Sequence, residues 1–232
     1  MNGSGKTYVA YEFKRATGFF DVVAYTGTGS SGTTESHNLG TIPQLIIAKP
    51  RSASGEWVVL CAGASGTFSD SYTGLSINSS NAALFNGDLD YSSYHTSEYI
   101  SPYRMLGATG SHVSSSGTTY IAYLFATLDG VSKVGSYTGD GTTDGSNVID
   151  CGFSAGARFV LIKRTDSTGN WIYMDSVRGI TSSNDPILKL NSGGTEQLGN
   201  SVHPAASGFG VVEAGGSNAN TNNANYIFLA IA

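Results

Sequence analysis

An all-β fold is what this sequence predicts, as two tandem β-sandwich-like units with an extra N-terminal strand. Three observations predict it. Compact runs of Val, Ile, Leu, Tyr and Phe have strand length and are separated by connectors rich in Gly, Ser, Thr and Asn. No segment carries a sustained 3.6-residue apolar period with helix caps. Several blocks of sequence recur in the same order. The chain has 232 residues, room for one large domain or two of about 110 residues.

The elements follow in order. Ser4-Gly-Lys-Thr-Tyr8-Val-Ala-Tyr11-Glu-Phe13 alternates Tyr/Ala/Glu with Val/Tyr/Phe and reads as a strand. It recurs as Ser116-Gly-Thr-Thr-Tyr120-Ile-Ala-Tyr123-Leu-Phe125. Asn225-Tyr226-Ile-Phe-Leu-Ala-Ile-Ala232 is a third copy. Tyr25-Thr-Gly27-Thr-Gly29 matches Tyr137-Thr-Gly139-Asp-Gly141. Leu45-Ile-Ile-Ala and Phe159-Val-Leu-Ile are continuous apolar runs, as expected of strands buried on both faces. Each is followed by a Gly-containing hairpin loop and a strand opening on tryptophan, at Trp57-Val-Val-Leu-Cys61 and Trp171-Ile-Tyr-Met. Ser183-Asn-Asp-Pro-Ile-Leu reads as one turn of helix. A Tyr-Ile strand follows each complete unit, so it is expected to close the unit before it. Residues 1–16 then form a leftover or exchange strand, 17–127 unit one and 128–232 unit two. The other phase, in which the strand opens each unit, also leaves two units and three strand copies.

Chemistry is sparse. Charged residues are 12% of the chain, about half the usual ~25%. The net charge of −5 argues against nucleic-acid binding, which needs clustered Lys and Arg. No apolar run is long enough to cross a membrane as a helix, and no basic, apolar leader opens the chain, so neither membrane insertion nor a secretory signal is expected. Gly3-Ser-Gly5-Lys6-Thr7 lacks the first glycine of a phosphate-binding loop and precedes a strand-like run, not a helix. The histidines His37, His95, His112 and His203 have no partner at metal-ligand spacing and read as solvated loop residues. Asp140-Gly-Thr-Thr-Asp144-Gly is a loose imitation of a calcium loop and reads as an Asx-rich turn. Cys61 and Cys151 read as buried thiols, too few for a disulfide framework. No catalytic residue, metal or cofactor is expected. Two places could mediate contact. The leftover strand, with Tyr8, Val9, Ala10, Tyr11 and Phe13, is an assembly candidate because its unpaired backbone groups need a partner. Tyr91, Tyr94 and Tyr99 lie in a stretch without a counterpart in unit two and form a recognition-loop candidate.

Unit two carries a specific set of motifs: Tyr137-Thr-Gly-Asp-Gly, Phe159-Val-Leu-Ile-Lys-Arg-Thr-Asp-Ser-Thr-Gly-Asn-Trp171, Met174-Asp-Ser-Val-Arg-Gly179 and Ala206-Ser-Gly-Phe209. In these it resembles a tandem β-domain family of unassigned function, found in structural proteins of tailed bacteriophages, especially marine ones. Unit one departs more: Lys49-Pro50-Arg51 stands in place of Lys-Arg-Thr, and no Asp-x-x-Arg-Gly block is recognisable. The resemblance implies a non-enzymatic virion structural protein on the particle surface, in a tail fibre or appendage, serving assembly or host attachment. The expected partners are other virion proteins and further copies of itself, with a host surface glycan as a candidate. A capsid decoration (head) protein and a secreted carbohydrate-binding module are the alternative expectations.

Overall fold

A computed structural model describes residues 3–61, 72–86, 94–105, 113–214 and 218–232. The fold is all-β. Among the described residues the helical content is a single 3-10 turn at Pro102–Arg104.

Two six-stranded antiparallel sheets form the centre. The first contains β1 (Phe20–Thr26), β3 (Leu45–Pro50), β4 (Val58–Cys61), β5 (Tyr72–Ser76), β6 (Leu84–Asn86) and β8 (Thr119–Phe125), in the order β1-β8-β3-β4-β5-β6. The second contains β9 (Ser132–Thr138), β11 (Phe159–Arg164), β12 (Trp171–Asp175), β13 (Asp185–Lys189), β14 (Gln197–Gly199) and β17 (Asn225–Ile231), in the order β9-β17-β11-β12-β13-β14. The orders correspond strand for strand, and so do the registers. Phe20 faces Phe125 as Ser132 faces Ile231. Leu45 faces Cys61 as Phe159 faces Asp175. The first sheet with the layer over it makes up unit one, and the second sheet with its layer makes up unit two.

Each unit buries one face of its sheet under an outer layer. In unit two this is a three-stranded sheet of β10 (Asn147–Asp150), β16 (Gly208–Val211) and β15 (Val202–Ala205). Phe209, Val211 and Val202 meet Val160, Ile162 and Tyr226 there. In unit one the layer includes the short ladder of β2 (Glu35–Ser36) with β7 (Tyr99–Ile100), and Leu39, Ile100 and Met105 meet Ile46, Leu60 and Leu124. The opposite faces of the two sheets pack on each other, so that Leu45, Val59 and Phe125 share a core with Leu161, Trp171 and Leu229. This explains the continuous apolar runs. Alternate residues of β3 and β11 enter different cores, and both sets must be apolar.

Three expectations are corrected. Residues 7–13 run extended but belong to no sheet, and among the described residues no backbone-to-backbone hydrogen bond pairs them with a strand. The closing strand is central, held between β1 and β3 or between β9 and β11, and β8 and β17 already fill both places. The predicted helical turn at Ser183 is instead the start of β13, because Ile187 enters the core while Asp185 accepts the Thr181 amide and hydroxyl at 2.7 and 2.8 Å. His37 and His95 are buried in unit one and not solvated. His37 accepts the Leu39 amide on Nδ1 (3.2 Å), and its Nε2 lies 3.2 Å from the Thr96 carbonyl. His203 is half-buried in β15, and His112 lies outside the described residues.

Candidate assembly site

The N-terminal segment lies across the junction of the two units as a strap. A period of two persists without a sheet: Val9, Tyr11 and Phe13 border the cleft at the junction, while Tyr8, Ala10 and Glu12 do not, although of the six only Phe13 is half-buried and the others are exposed. The cleft measures about 310 Å³, and its floor includes Ile47 and Phe125 of unit one and Phe159, Tyr173 and Leu229 of unit two. Phe13 packs edge-on to Phe125 with ring centres 5.4 Å apart. Tyr11 meets Phe159 and Tyr173 edge-on at 5.0 and 5.7 Å, a favourable aromatic geometry.

Polar contacts fasten Tyr11. Its hydroxyl donates to Asp175 Oδ2 (2.6 Å) and accepts from Arg178 Nη2 (3.3 Å). The Asp-x-x-Arg-Gly motif of unit two builds this anchor. Asp175 Oδ1 accepts the amides of Val177 and Arg178 at 3.0 and 2.9 Å, and Oδ2 pairs with Arg178 Nε at 2.6 Å. Arg178 continues to Glu196 at 2.8 Å. Burial pushes the Asp175 carboxyl upward, but the hydrogen bonds from Tyr11 and Arg178 outweigh it and hold the group below the usual range. Burial and the bond to Asp175 raise the Tyr11 phenol, so it stays a donor. In unit one Cys61, which carries no carboxylate, occupies the register position of Asp175.

A second construction appears in both units where the closing strand begins. Tyr120 stacks on Tyr25 (5.1 Å, 12°), and Tyr226 on Tyr137 (4.8 Å, 9°). Tyr25 donates to the Val113 carbonyl at 2.8 Å and Tyr137 to that of Ala219 at 2.5 Å. The following glycines lock the clasp. Gly27 N donates to the Thr118 carbonyl and Gly139 N to that of Ala224, both at 2.8 Å. A Cβ on Gly27 would lie 2.4 Å from the Ser115 carbonyl oxygen, and one on Gly139 2.3 Å from that of Thr221. Only glycine allows this approach.

The recognition-loop candidates are placed differently from one another. Tyr91 lies outside the described residues. Tyr94 is half-buried, with the Arg104 guanidinium 4.3 Å over its ring and donating to its hydroxyl at 3.2 Å. Tyr99 is half-buried in β7, opposite Ser36. Both thus take part in the outer layer of unit one. Asp140 accepts from the Thr142 amide and hydroxyl and from Asn220 Nδ2 at 2.7–2.9 Å, and these bonds lower its pKa. Cys61 and Cys151 are free, sit in separate cores, and are pushed up to about 12 by burial, as inert thiols. Among the described residues no group of His, Cys, Asp and Glu could hold a metal ion.

A family model described as a domain of unknown function (DUF7483) matches residues 1–232. No curated protein and no solved structure matches the chain.

Proposed function

We propose, for a chain that belongs over its whole length to the DUF7483 family of unknown function, a mechanical role: a non-enzymatic structural component exposed on a bacteriophage particle, in a tail fibre or appendage. The observation that carries this reading is the core shared between the two units. Each central sheet is buried on one face by its outer layer, and part of its other face is buried by the other unit. Separating the units would expose Trp171, Leu229, Leu45 and Phe125 together, at about 1.5–3 kcal/mol for each such side chain. A body built this way resists extension. Its carboxyl groups tie loops to sheets through hydrogen bonds, as those of Asp175 and Asp185 do. The motif resemblance to structural proteins of tailed bacteriophages supports the particle setting.

Immunogold labelling of purified phage particles with antibody to this chain tests the reading. Label on the tail appendages is the expected result. Label on the head would transfer the role to capsid decoration. Antigen confined to the particle-free fraction overturns the reading, and saturable binding on a glycan array would then favour the carbohydrate-binding alternative.

A further inference from the structure

Residues 3–13 copy the closing strand in backbone geometry as well as in sequence. In unit one Thr118 N donates to the Ser115 carbonyl (3.1 Å), Gly117 takes φ +77°, and Ser115 N donates to the Tyr120 hydroxyl (3.0 Å). In unit two Ala224 N donates to the Thr221 carbonyl (3.0 Å), Asn223 takes φ +59°, and Thr221 N donates to the Tyr226 hydroxyl (3.0 Å). At the N-terminus Lys6 N donates to the Gly3 carbonyl (3.2 Å), Gly5 takes φ +69°, and Gly3 N donates to the Tyr8 hydroxyl (3.0 Å). The same turn is folded three times. Two of the three tyrosines stack on a partner ring, while Tyr8 is 52% exposed.

The contact between the units is head to tail. Unit one buries Phe20, Leu45, Val59, Cys61, Leu75 and Phe125 in it. Unit two buries Val134, Leu161, Trp171, Ile227 and Leu229. By register these are different halves of the same face. The counterparts of the unit-two set are Val22, Ile47, Trp57, Ile121 and Tyr123, and all five are only half-buried. The ends of the sheets repeat the asymmetry. Trp171 Nε1 donates to the Ser76 carbonyl (3.0 Å) and Gly169 N to that of Ser80 (2.8 Å). Trp57, at the matching place in unit one, remains half-exposed. Each unit therefore keeps one half-face open, and contacts of this kind either propagate or close into a ring.

The strap repeats the established contact on the open half of unit two. Tyr11 packs on Phe159 and Tyr173. Its unit-two counterpart, Leu229, shares a buried cluster with Leu45 and Val59, which are the counterparts of Phe159 and Tyr173. We infer that residues 3–13 are the closing strand of a third unit of this fold. That unit supplies strands like β1 and β3 but no closing strand of its own. It packs on the open half-faces of both units and completes a ring of three sheets around one apolar core. Phe13 and its counterparts Phe125 and Ile231 all border that core. Tyr8, Ala10 and Glu12 then face the interior of the third unit, and its β1-type strand carries the ring that stacks on Tyr8. Glu12 stands where Leu124 and Ala230 stand, so the natural acceptor offers a cation at that point, and a second copy of this chain, whose places are full, does not serve.

The test joins an extra copy of residues 17–114, carrying Trp57→Phe, directly before Gly3 of the intact chain. A second version adds Glu12→Leu, because the borrowed sheet brings an aspartate, not a cation, opposite position 12. A sister chain replaces residues 3–13 with residues 115–125. Hydrogen exchange of the Tyr8–Phe13 amides is expected to slow by about 100-fold or more on incorporation into a sheet. Acrylamide quenching of the original Trp57 is expected to fall to that of a buried tryptophan. Exchange at 8–13 unchanged in both versions, while the sister chain protects its strand, overturns the inference. Slowed exchange with Trp57 still fully quenched overturns the ring.

Discussion

Gly27 and Gly139 are held by the closest approaches in the two clasps. Neither sits in a turn whose dihedrals demand glycine. Each is required because the closing strand's own turn passes within van der Waals contact. Gly27→Ala forces the two backbones apart and is expected to destabilise the protein by about 2 kcal/mol, read from the urea midpoint. His95 is the second residue with a measurable consequence. Burial, aided by the nearby His37, lowers its pKa to about 3. The unfolded chain therefore binds a proton near pH 6.5 that the folded chain refuses. Stability is complete above pH 6.5 and falls progressively between there and pH 3, by about 2 kcal/mol at pH 5. Urea titrations at pH 7.5 and 5 should show this loss, and His95→Gln should reduce the pH dependence even where it lowers the midpoint overall. The sequence placed His95 among polar neighbours and gave no sign that an outer layer would fold over it.

At the scale of elements, the strap is an extended segment with strand chemistry and no ladder. Its attachment rests on side chains, chiefly the Tyr11–Asp175–Arg178 set. Tyr11→Ala should free it, and trypsin cleavage at Lys6, Lys14 and Arg15 should then quicken about tenfold while the sheets stay intact. Asp175 gives the anchor a pH limit. Its carboxyl is held below the usual value, so the stability it adds is present above about pH 3.9 and is lost as the pH falls through the depressed value. Asp175→Asn should remove that acid-side loss, measured as a flatter urea midpoint between pH 5 and 2.5. The Asp-x-x-Arg-Gly motif was legible in the sequence. Its use was not, because Tyr11 lies far away along the chain and meets it only after the strap crosses unit two.

Across the whole molecule, one head-to-tail contact makes equivalent residues unequal. Trp57 and Trp171 open the same strand of their units, yet only Trp171 is sealed, by Ser76 of the other unit. Lys163 is buried for the same reason and is pulled down to about 8, mainly by burial, while Lys49 is half-exposed. Trp171→Ala should cost about 3–5 kcal/mol and Trp57→Ala clearly less, in parallel thermal or urea unfolding. Nearly equal costs would mean that the two half-faces are alike in solution.

The sequence by itself determined the class of fold, the strand content and the repetition, since periodicity, turn residues and recurring blocks are local properties of the chain. It also marked which strands would be covered on both sides, because a run apolar at every position has no face to give to water. Only the tertiary structure decided what covers each side, which of two identical tryptophan positions is closed, and where the third copy of the closing strand comes to rest. Those outcomes depend on a rigid-body offset between two sheets, and a displacement of whole units leaves no trace in the spacing of residues along either one.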